Sequence, residues 1–452
     1  MARHLRIWIS FLCLMMLSAP LRAQKSPTDQ LIQSFELHVK MYPQDYAGYD
    51  GLGAAFLQKG RETGDADYYE RAKVALNKSL DLRSGDPSAA SAMTNMAVAC
   101  MSEHRFADAL DWAQNALALG SGDPSPWAIA GDALADMGDY SAAAEAYSKL
   151  SSPFVSEEAR VGLSYERDSR MSSLRLVAGD AEGAIQLMRN AIRLAVATNM
   201  PAENIAWSEY QLGEELFQVG DYSRAEKAYL DSLDQYPSYY RALGGLAKVS
   251  AAQGKLYAAV DFYKKALAVV PFPEYAAALG DVYEKLHHPD EAKKQYDLVE
   301  FIGSLNRLNR QIHNRDLALF YADHDTKLDE SLMLARKELE VRRDIHTWDV
   351  LAWSLFKNGK TQDAADAISH ALQQGTVDAP IFFHAGMIYA RLGDGTVAMK
   401  FLNRALTVSP QFHVLHATVA REMLASLEAG SGAMDKDSAR LAQQSGGEGN
   451  LR

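Results

Sequence analysis

The feature that most constrains this fold is a pattern of small, large and turn-forming residues that recurs roughly every 34 residues. Residues 127–147 show it most clearly, as Trp-x2-Ala-Gly-x2-Leu, then Gly-x-Tyr, then Ala-x3-Tyr. A unit of this length and composition forms two helices joined by a turn, and it buries its apolar face only by stacking on the next unit. The pattern therefore predicts an all-α solenoid in which each unit contacts only its neighbours.

The small residue that opens the second helix of each unit gives the register of the repeat. Five of the nine intervals between these residues lie within one residue of 34. The ten positions are Ala72, Ala109, Ala143, Ala184, Ala225, Ala259, Ala292, Ser331, Ala364 and Ala398. Two units depart from the pattern, because Ser331 replaces an alanine and Met171-Ser172 stands where a large and a small residue are expected.

The fifth unit shows why these residue types recur. Leu212-Gly213-x2-Leu216 places a large, a small and a large residue on one helical face. The glycine allows the second helix to approach closely, and the leucines fill the volume beside it. Gly220 suits the turn between the two helices, and Pro237 ends the unit, since proline is tolerated where a helix stops.

These residues resemble the tetratricopeptide repeat, and the resemblance covers residues 44–410. It implies a right-handed superhelix of about ten repeats, in which the first helices line a concave face that binds an extended peptide or a partner helix. Further segments are similar to a family of bacterial exported tetratricopeptide proteins: Tyr49–Gly53, Lys59–Asp65, Leu317–Asp325 and His384–Met387. This narrower resemblance implies export and the same fold, and it implies no reaction.

The regions outside the repeats predict export and two caps. Residues 1–23 have a basic start, an apolar run and a small-residue exit, which is typical of a cleaved secretory signal peptide. An uncleaved anchor is the alternative, although the apolar run is shorter than a usual membrane span. Residues 24–43 are predicted to form an N-terminal capping helix, residues 411–427 a C-terminal capping helix, and residues 428–452 a disordered tail.

Composition excludes several classes of function. The formal net charge is −12, and an acidic chain without a basic block is not expected to bind nucleic acid. Cys100 is the only cysteine beyond the signal segment, so no internal disulfide is expected. The chain lacks a phosphate-binding loop, a Gly-x-Ser-x-Gly motif and a His-Glu-x-x-His helix. Since His287, His288 and His324 occupy turn-like positions, no metal, cofactor or catalytic residue is predicted.

The resemblance also implies which side chains line the concave face. Trp353, Phe383 and Met387 come from the last two units and are expected to form one apolar patch. Such a patch either binds a partner or packs against the C-terminal helix, and both alternatives remain open at this point. The full set of residues predicted to contact a partner is Asp132, Tyr210, Glu214, Arg241, Lys248, Asp281, Asp349, Trp353, Phe383 and Met387.

The sequence thus predicts an exported, non-enzymatic scaffold in the periplasm or outside the cell that binds a protein or peptide through its concave surface. The alternative is an accessory subunit of an envelope enzyme or assembly complex, such as those of polysaccharide export, outer-membrane assembly or pilus assembly. No membrane span is expected after signal cleavage.

Overall fold

The computed structural model describes residues 26–83, 85–150, 156–308 and 314–429, and every regular element in these residues is helical. The prediction of an all-α solenoid is confirmed. Helix α1 (Pro27–Met41) precedes the repeats and packs on the first of them. The predicted signal peptide and residues 430–452 of the predicted tail lie outside the described residues.

Ten consecutive helix pairs follow, and they are numbered here as units 1–10. Units 1–5 are α2 (Tyr46–Thr63) with α3 (Asp67–Asp81), α4 (Ala90–Ser102) with α5 (Phe106–Ala118), α6 (Pro126–Asp136) with α7 (Tyr140–Ser148), α8 (Glu157–Val177) with α9 (Ala181–Ala197), and α10 (Ala202–Gln218) with α11 (Tyr222–Gln235). Units 6–10 are α12 (Tyr240–Ala252) with α13 (Leu256–Val269), α14 (Pro273–Lys285) with α15 (Pro289–Leu308), α16 (Asn314–Asp323) with α17 (Leu328–Val341), α18 (Ile345–Lys357) with α19 (Thr361–Leu372), and α20 (Ala379–Arg391) with α21 (Gly395–Val408).

The small residue that opens each second helix is fully buried in every unit. All ten positions, from Ala72 to Ala398, have no solvent-exposed surface. The two departures from the pattern keep this packing by forming hydrogen bonds to the paired helix. The Ser331 hydroxyl donates to the Ala318 carbonyl at 2.8 Å, and the Ser172 hydroxyl donates to the Ala184 carbonyl at 2.8 Å.

A glycine followed by an aspartate forms the turn inside several units. Gly220 has φ +78°, a left-handed conformation that ends α10, and the Asp221 side chain then accepts the Arg224 backbone N–H to cap α11. The same Gly-Asp pair begins α7, α9 and α21. These turns are short, so the two helices of a unit pack side by side.

Successive turns of the superhelix contact each other, which the sequence did not predict. The turn inside unit 3 lies against the segment after unit 8, where Arg343 donates its backbone N–H to the Asp136 carbonyl at 2.9 Å. The turn inside unit 5 lies against the segment after unit 10, where the Tyr222 and Ser409 hydroxyls are 2.9 Å apart. The turns inside units 1 and 4 likewise meet the ends of units 6 and 9. The expectation that each unit contacts only its neighbours is therefore wrong.

The chain after unit 10 turns back across the repeats. Residues 411–415 form turns, and residues 416–429 form the last described helix, α22, which starts and ends later than the predicted helix 411–427. Residues 411–429 are called the strap below. The largest apolar cluster of the described residues spans units 7–10 and includes Phe412, Ala417 and Ala420 of the strap.

Candidate functional site

The predicted concave residues occupy equivalent places on the first helices. Asp132, Glu214, Lys248, Asp281, Trp353 and Met387 each lie one residue after the small packing residue of their unit. Tyr210, Asp349 and Phe383 lie one helical turn earlier, and Arg241 lies two turns before Lys248. The series changes character along the chain, because the early units carry polar side chains and units 9 and 10 carry Trp353, Phe383 and Met387.

A tyrosine of the second helix holds the acidic residue in three of these units. In unit 5 the Tyr229 hydroxyl donates to Glu214 at 2.6 Å, and Lys248 of the next unit forms an ion pair with Glu214 at 2.5 Å. Tyr229 reaches Glu214 by lying across Gly213, where any side chain would overlap the tyrosine ring. Tyr147 holds Asp132 in unit 3, and Tyr296 holds Asp281 in unit 7, each at 2.9 Å.

Asp281 is the most heavily bonded of these carboxylates. It accepts the Tyr296 hydroxyl at 2.9 Å and a ring nitrogen of His324 at 2.8 Å, and His413 of the strap lies 3.4 Å away. Burial by itself raises the pKa of Asp281, but the hydrogen bonds from His324 and His413 outweigh it and hold that pKa well below its usual range. Asp281 is therefore ionised and ties the strap to unit 7.

The strap covers the predicted apolar patch. Trp353 is 2% exposed and Phe383 is 1% exposed, whereas Met387 is half-buried. The Phe383 ring lies 5.6 Å from Phe412 and stacks on His416 at 4.9 Å. Of the two alternatives for this patch, packing against the C-terminal segment is the one found in this conformation. Among the described residues the strap covers Trp353 and Phe383, and a role of the patch in partner binding stays a prediction.

Asp349, the remaining predicted residue of unit 9, is also buried. Its carboxylate accepts from the His384 ring at 2.9 Å, and the His384 ring stacks on Trp353 at 4.2 Å. Asp349 therefore supports the floor beneath the strap and does not face solvent.

Among the described residues, the candidate group of metal ligands consists of Asp323, His413 and His416. Their ligand atoms lie within 4.8 Å of one another. However, the two imidazole rings stack with their centroids 4.2 Å apart and an interplanar angle of 20°. Metal ions bind imidazole in the plane of the ring, and two stacked rings cannot share one ion in that way. His413 Nδ1 also accepts the backbone N–H groups of Leu415 and His416, which leaves the ring proton on Nε2.

Five first-helix side chains of units 5–7 form no hydrogen bond, ion pair or ring contact with the strap among the described residues, and they are called the open section below. It consists of Tyr210, Glu214, Arg241, Lys248 and Glu274, of which the first four are half-buried and Glu274 is exposed. Arg241 has no hydrogen bond or ion pair among the described residues and lies over the rings of Tyr240, at 5.3 Å, and Phe272, at 6.0 Å. Glu274 also has no ion pair there.

Comparison with known proteins identifies the repeat. A family model described as tetratricopeptide repeat matches residues 210–276 and 350–411, which include the open section and the first helices of units 9 and 10. These residues form tetratricopeptide repeats. No curated protein sequence matches the chain.

Several solved structures are similar to parts of this chain. A tetratricopeptide repeat protein from Parabacteroides merdae is 19% identical, with 59% of this chain and 99% of that one covered, at a TM-score of 0.34. MamA is 21% identical over 39% of this chain and 96% of its own, at a TM-score of 0.31. The APC/C hetero-tetramer Cut9-Hcn1 is 14% identical over 89% and 96%, at a TM-score of 0.33. At these TM-scores the identification rests on the family model.

Some site residues of this tetratricopeptide-repeat protein were not predicted. Glu274 was missed although it has the same place in unit 7 that Arg241 has in unit 6, so the repeat register alone could have found it. His384, His413 and His416 were missed because their role depends on where the strap docks. Among the described helices, none has the length and apolar character required to cross a membrane.

Cys100, the only cysteine among the described residues, is not a reactive group. Cys100 is buried in unit 2, and burial raises the pKa of its thiol to about 11. A thiol with so high a pKa is protonated at neutral pH and reacts poorly as a nucleophile.

Proposed function

We propose that this tetratricopeptide-repeat protein is an exported scaffold, without catalytic activity of its own, that binds an extended segment of a partner protein along the open section. Repeat proteins of this family present a concave surface for protein partners. Export is supported by the signal-peptide pattern of residues 1–23.

The unpaired guanidinium of Arg241 is the observation that supports this site best. The side chain lies over the rings of Tyr240 and Phe272. No carboxylate of the described residues forms an ion pair with it, although Glu274 is near enough to attract it through space. Arginine binds a carboxylate through two parallel hydrogen bonds, and the gain is larger where the surroundings exclude water. Arg241 is therefore suited to an aspartate, a glutamate or a terminal carboxylate of a bound segment.

The neighbours of Arg241 define the rest of the recognised chemistry. Glu274 is exposed and forms no ion pair among the described residues, and Asp316 places a second negative charge nearby. A basic side chain of the bound segment next to Glu274 would offset both negative charges. Tyr210 presents an aromatic surface on the other side, within 6.0 Å of the Tyr229 ring. The bound segment is thus expected to carry an acidic and a basic residue in close succession.

The test compares two neutralising substitutions. Arg241→Gln is expected to weaken binding to immobilised peptides that carry a carboxylate by about tenfold or more, because a charged hydrogen-bonded pair contributes about 1.5–3 kcal/mol. Arg336→Gln, at an exposed arginine of α17, is the matched control and should leave binding unchanged. Equal binding by both variants would rule out Arg241 as the contact. Capture of one stoichiometric enzyme from envelope fractions would instead favour the accessory-subunit alternative.

A further inference from the structure

The strap occupies a groove that is apolar in its centre and acidic at one end. Trp353 and Phe383 form the centre, and the carboxylates of Asp281 and Asp323 stand at the end that meets the start of the strap. The strap side chains that face this groove are Phe412, His413, His416, Ala417 and Ala420.

The strap binds in the manner of a separate amphipathic helix. It has no paired helix of its own, unlike the two members of each unit. Ala417 and Ala420 are buried in the groove, while Arg421 and Ala425 are exposed. An amphipathic helix with its seated face in an apolar groove is a recurrent mode of recognition between proteins.

The strap leaves one half-buried carboxylate, that of Asp323, without a salt bridge to a charged side chain. Burial raises the pKa of Asp323 and His413 lowers it through space, but His413 is paired with Asp281. Asp323 accepts the Trp353 indole N–H at 2.8 Å, but the His416 ring nitrogen lies 3.8 Å away, too far for a hydrogen bond. Burial, with a smaller contribution from His413 and His384, lowers the pKa of His416 well below its usual range, so the ring is neutral. Lys357, the nearest lysine of α18, is bound to Asp325 at 2.8 Å.

We propose that residues 411–429 are an exchangeable occupant of this groove, and that an amphipathic helix of a partner protein displaces them. The displacing helix carries small residues on its seated face and an arginine or lysine in its first turn, opposite Asp323. That cation would complete the pairing that His416 leaves unmade. This site is distinct from the open section, so each can fail without the other.

The experiment uses the full chain with one substitution on each face of α22. Ala420→Asp places a charge at a position with 0% exposure and should release the strap, whereas Ala425→Asp places the same charge on the exposed face and should not. The probe is a labelled synthetic peptide with the sequence of residues 409–429, together with its His416→Arg form. The Ala420→Asp chain should bind this peptide about tenfold or more tightly than the wild type and the Ala425→Asp chain, because a tethered occupant competes at a high effective concentration.

The arginine form of the peptide tests the predicted chemistry of the partner. It should bind the Ala420→Asp chain more tightly than the native peptide, and a peptide carrying Ala420→Asp should not bind. The proposal is overturned if the Ala420→Asp chain binds no better than the Ala425→Asp chain, or if Ala420→Asp unfolds the repeats. Hydrogen exchange on the wild type gives an independent reading, since strap amides should exchange faster than those of α20, and equal protection would also overturn it.

Discussion

Tyr229 lies across Gly213 and donates a hydrogen bond to Glu214. This arrangement is possible only because glycine has no side chain to overlap the tyrosine ring. The sequence predicted the small residue, because a close helix contact recurs in every unit. It did not predict the hydrogen bond, because a tyrosine at this position is compatible with simple apolar packing. The bond is seen only when the ring is placed beside the acidic residue that follows the glycine.

Replacing Gly213 by alanine is expected to destabilise the protein. The added methyl group would overlap the Tyr229 ring, and overpacking of this kind costs about 1–3 kcal/mol. Gly162→Ala on α8 is the control, since a Cβ there meets nothing within 4 Å and alanine favours a helix by about 1 kcal/mol. Urea unfolding should show a loss for the first variant and no loss for the second. Equal stability of the two variants would contradict the packing described for unit 5.

Glu215 is expected to make stability depend on pH near neutrality. It is 3% exposed, its Oε2 atom has no hydrogen-bond partner, and burial raises its pKa from 4.5 to about 7. Because the folded-state pKa is raised, its contribution is fully present below pH 4.5 and is lost as the pH rises through about 7.

In the wild type, ionisation of Glu215 is expected to lower the free energy of unfolding by up to about 3 kcal/mol between pH 5 and pH 8. The Glu215→Gln variant should not show this decrease. Thermal unfolding of the wild type and the variant at several pH values measures this effect. The difference between the two proteins is the relevant quantity, because Glu209 also has a raised pKa, of about 7, and contributes to the pH dependence of both. Glu340→Gln, at an exposed residue of α17, should leave the wild-type profile unchanged. A wild-type profile in Glu215→Gln would mean that Glu215 is not buried as described.

At the scale of helices, the sequence predicted the features that depend on neighbouring residues, but not the docking of the strap. Helix pairs, their turns and their buried small residues follow from neighbouring residues, so the repeat register predicted them. The strap does not follow in this way, because its docking depends on the curvature that ten units build up together. Its sequence reads as an ordinary amphipathic helix, and nothing local shows that Phe412 and His416 meet Phe383 of unit 10.

At the scale of the whole molecule, contacts between units that are five or six apart join the two halves of the superhelix. The hydroxyl of Tyr140, in unit 3, accepts the backbone N–H of Ile345, in unit 9, at 2.9 Å. The side chain of Gln218, in unit 5, donates to the carbonyl of Val377, just before unit 10, at 3.0 Å. A solenoid that contacts only its neighbours loses cooperativity along its length. These contacts favour unfolding of both halves together.

Tyr140→Phe is expected to weaken units 3 and 9 together, since it leaves the Ile345 N–H without its partner at a cost of about 1–3 kcal/mol. Hydrogen exchange should show reduced protection in both α6 and α18. Tyr257→Phe, at a tyrosine that is 68% exposed, should change neither. A loss of protection in one of the two helices alone would show that the halves unfold independently.

These contacts also limit how the chain can change in length. A solenoid with free turns accepts a duplicated or deleted repeat, because only the two junctions are disturbed. Here the backbone at Gly138, Gly179 and Gly220 approaches the ends of units 8, 9 and 10 so closely that a side chain would overlap it. One unit inserted between units 5 and 6 would put every such pairing out of phase at once. Length variation among related chains is therefore expected within loops and at the termini, with the number of repeats held constant.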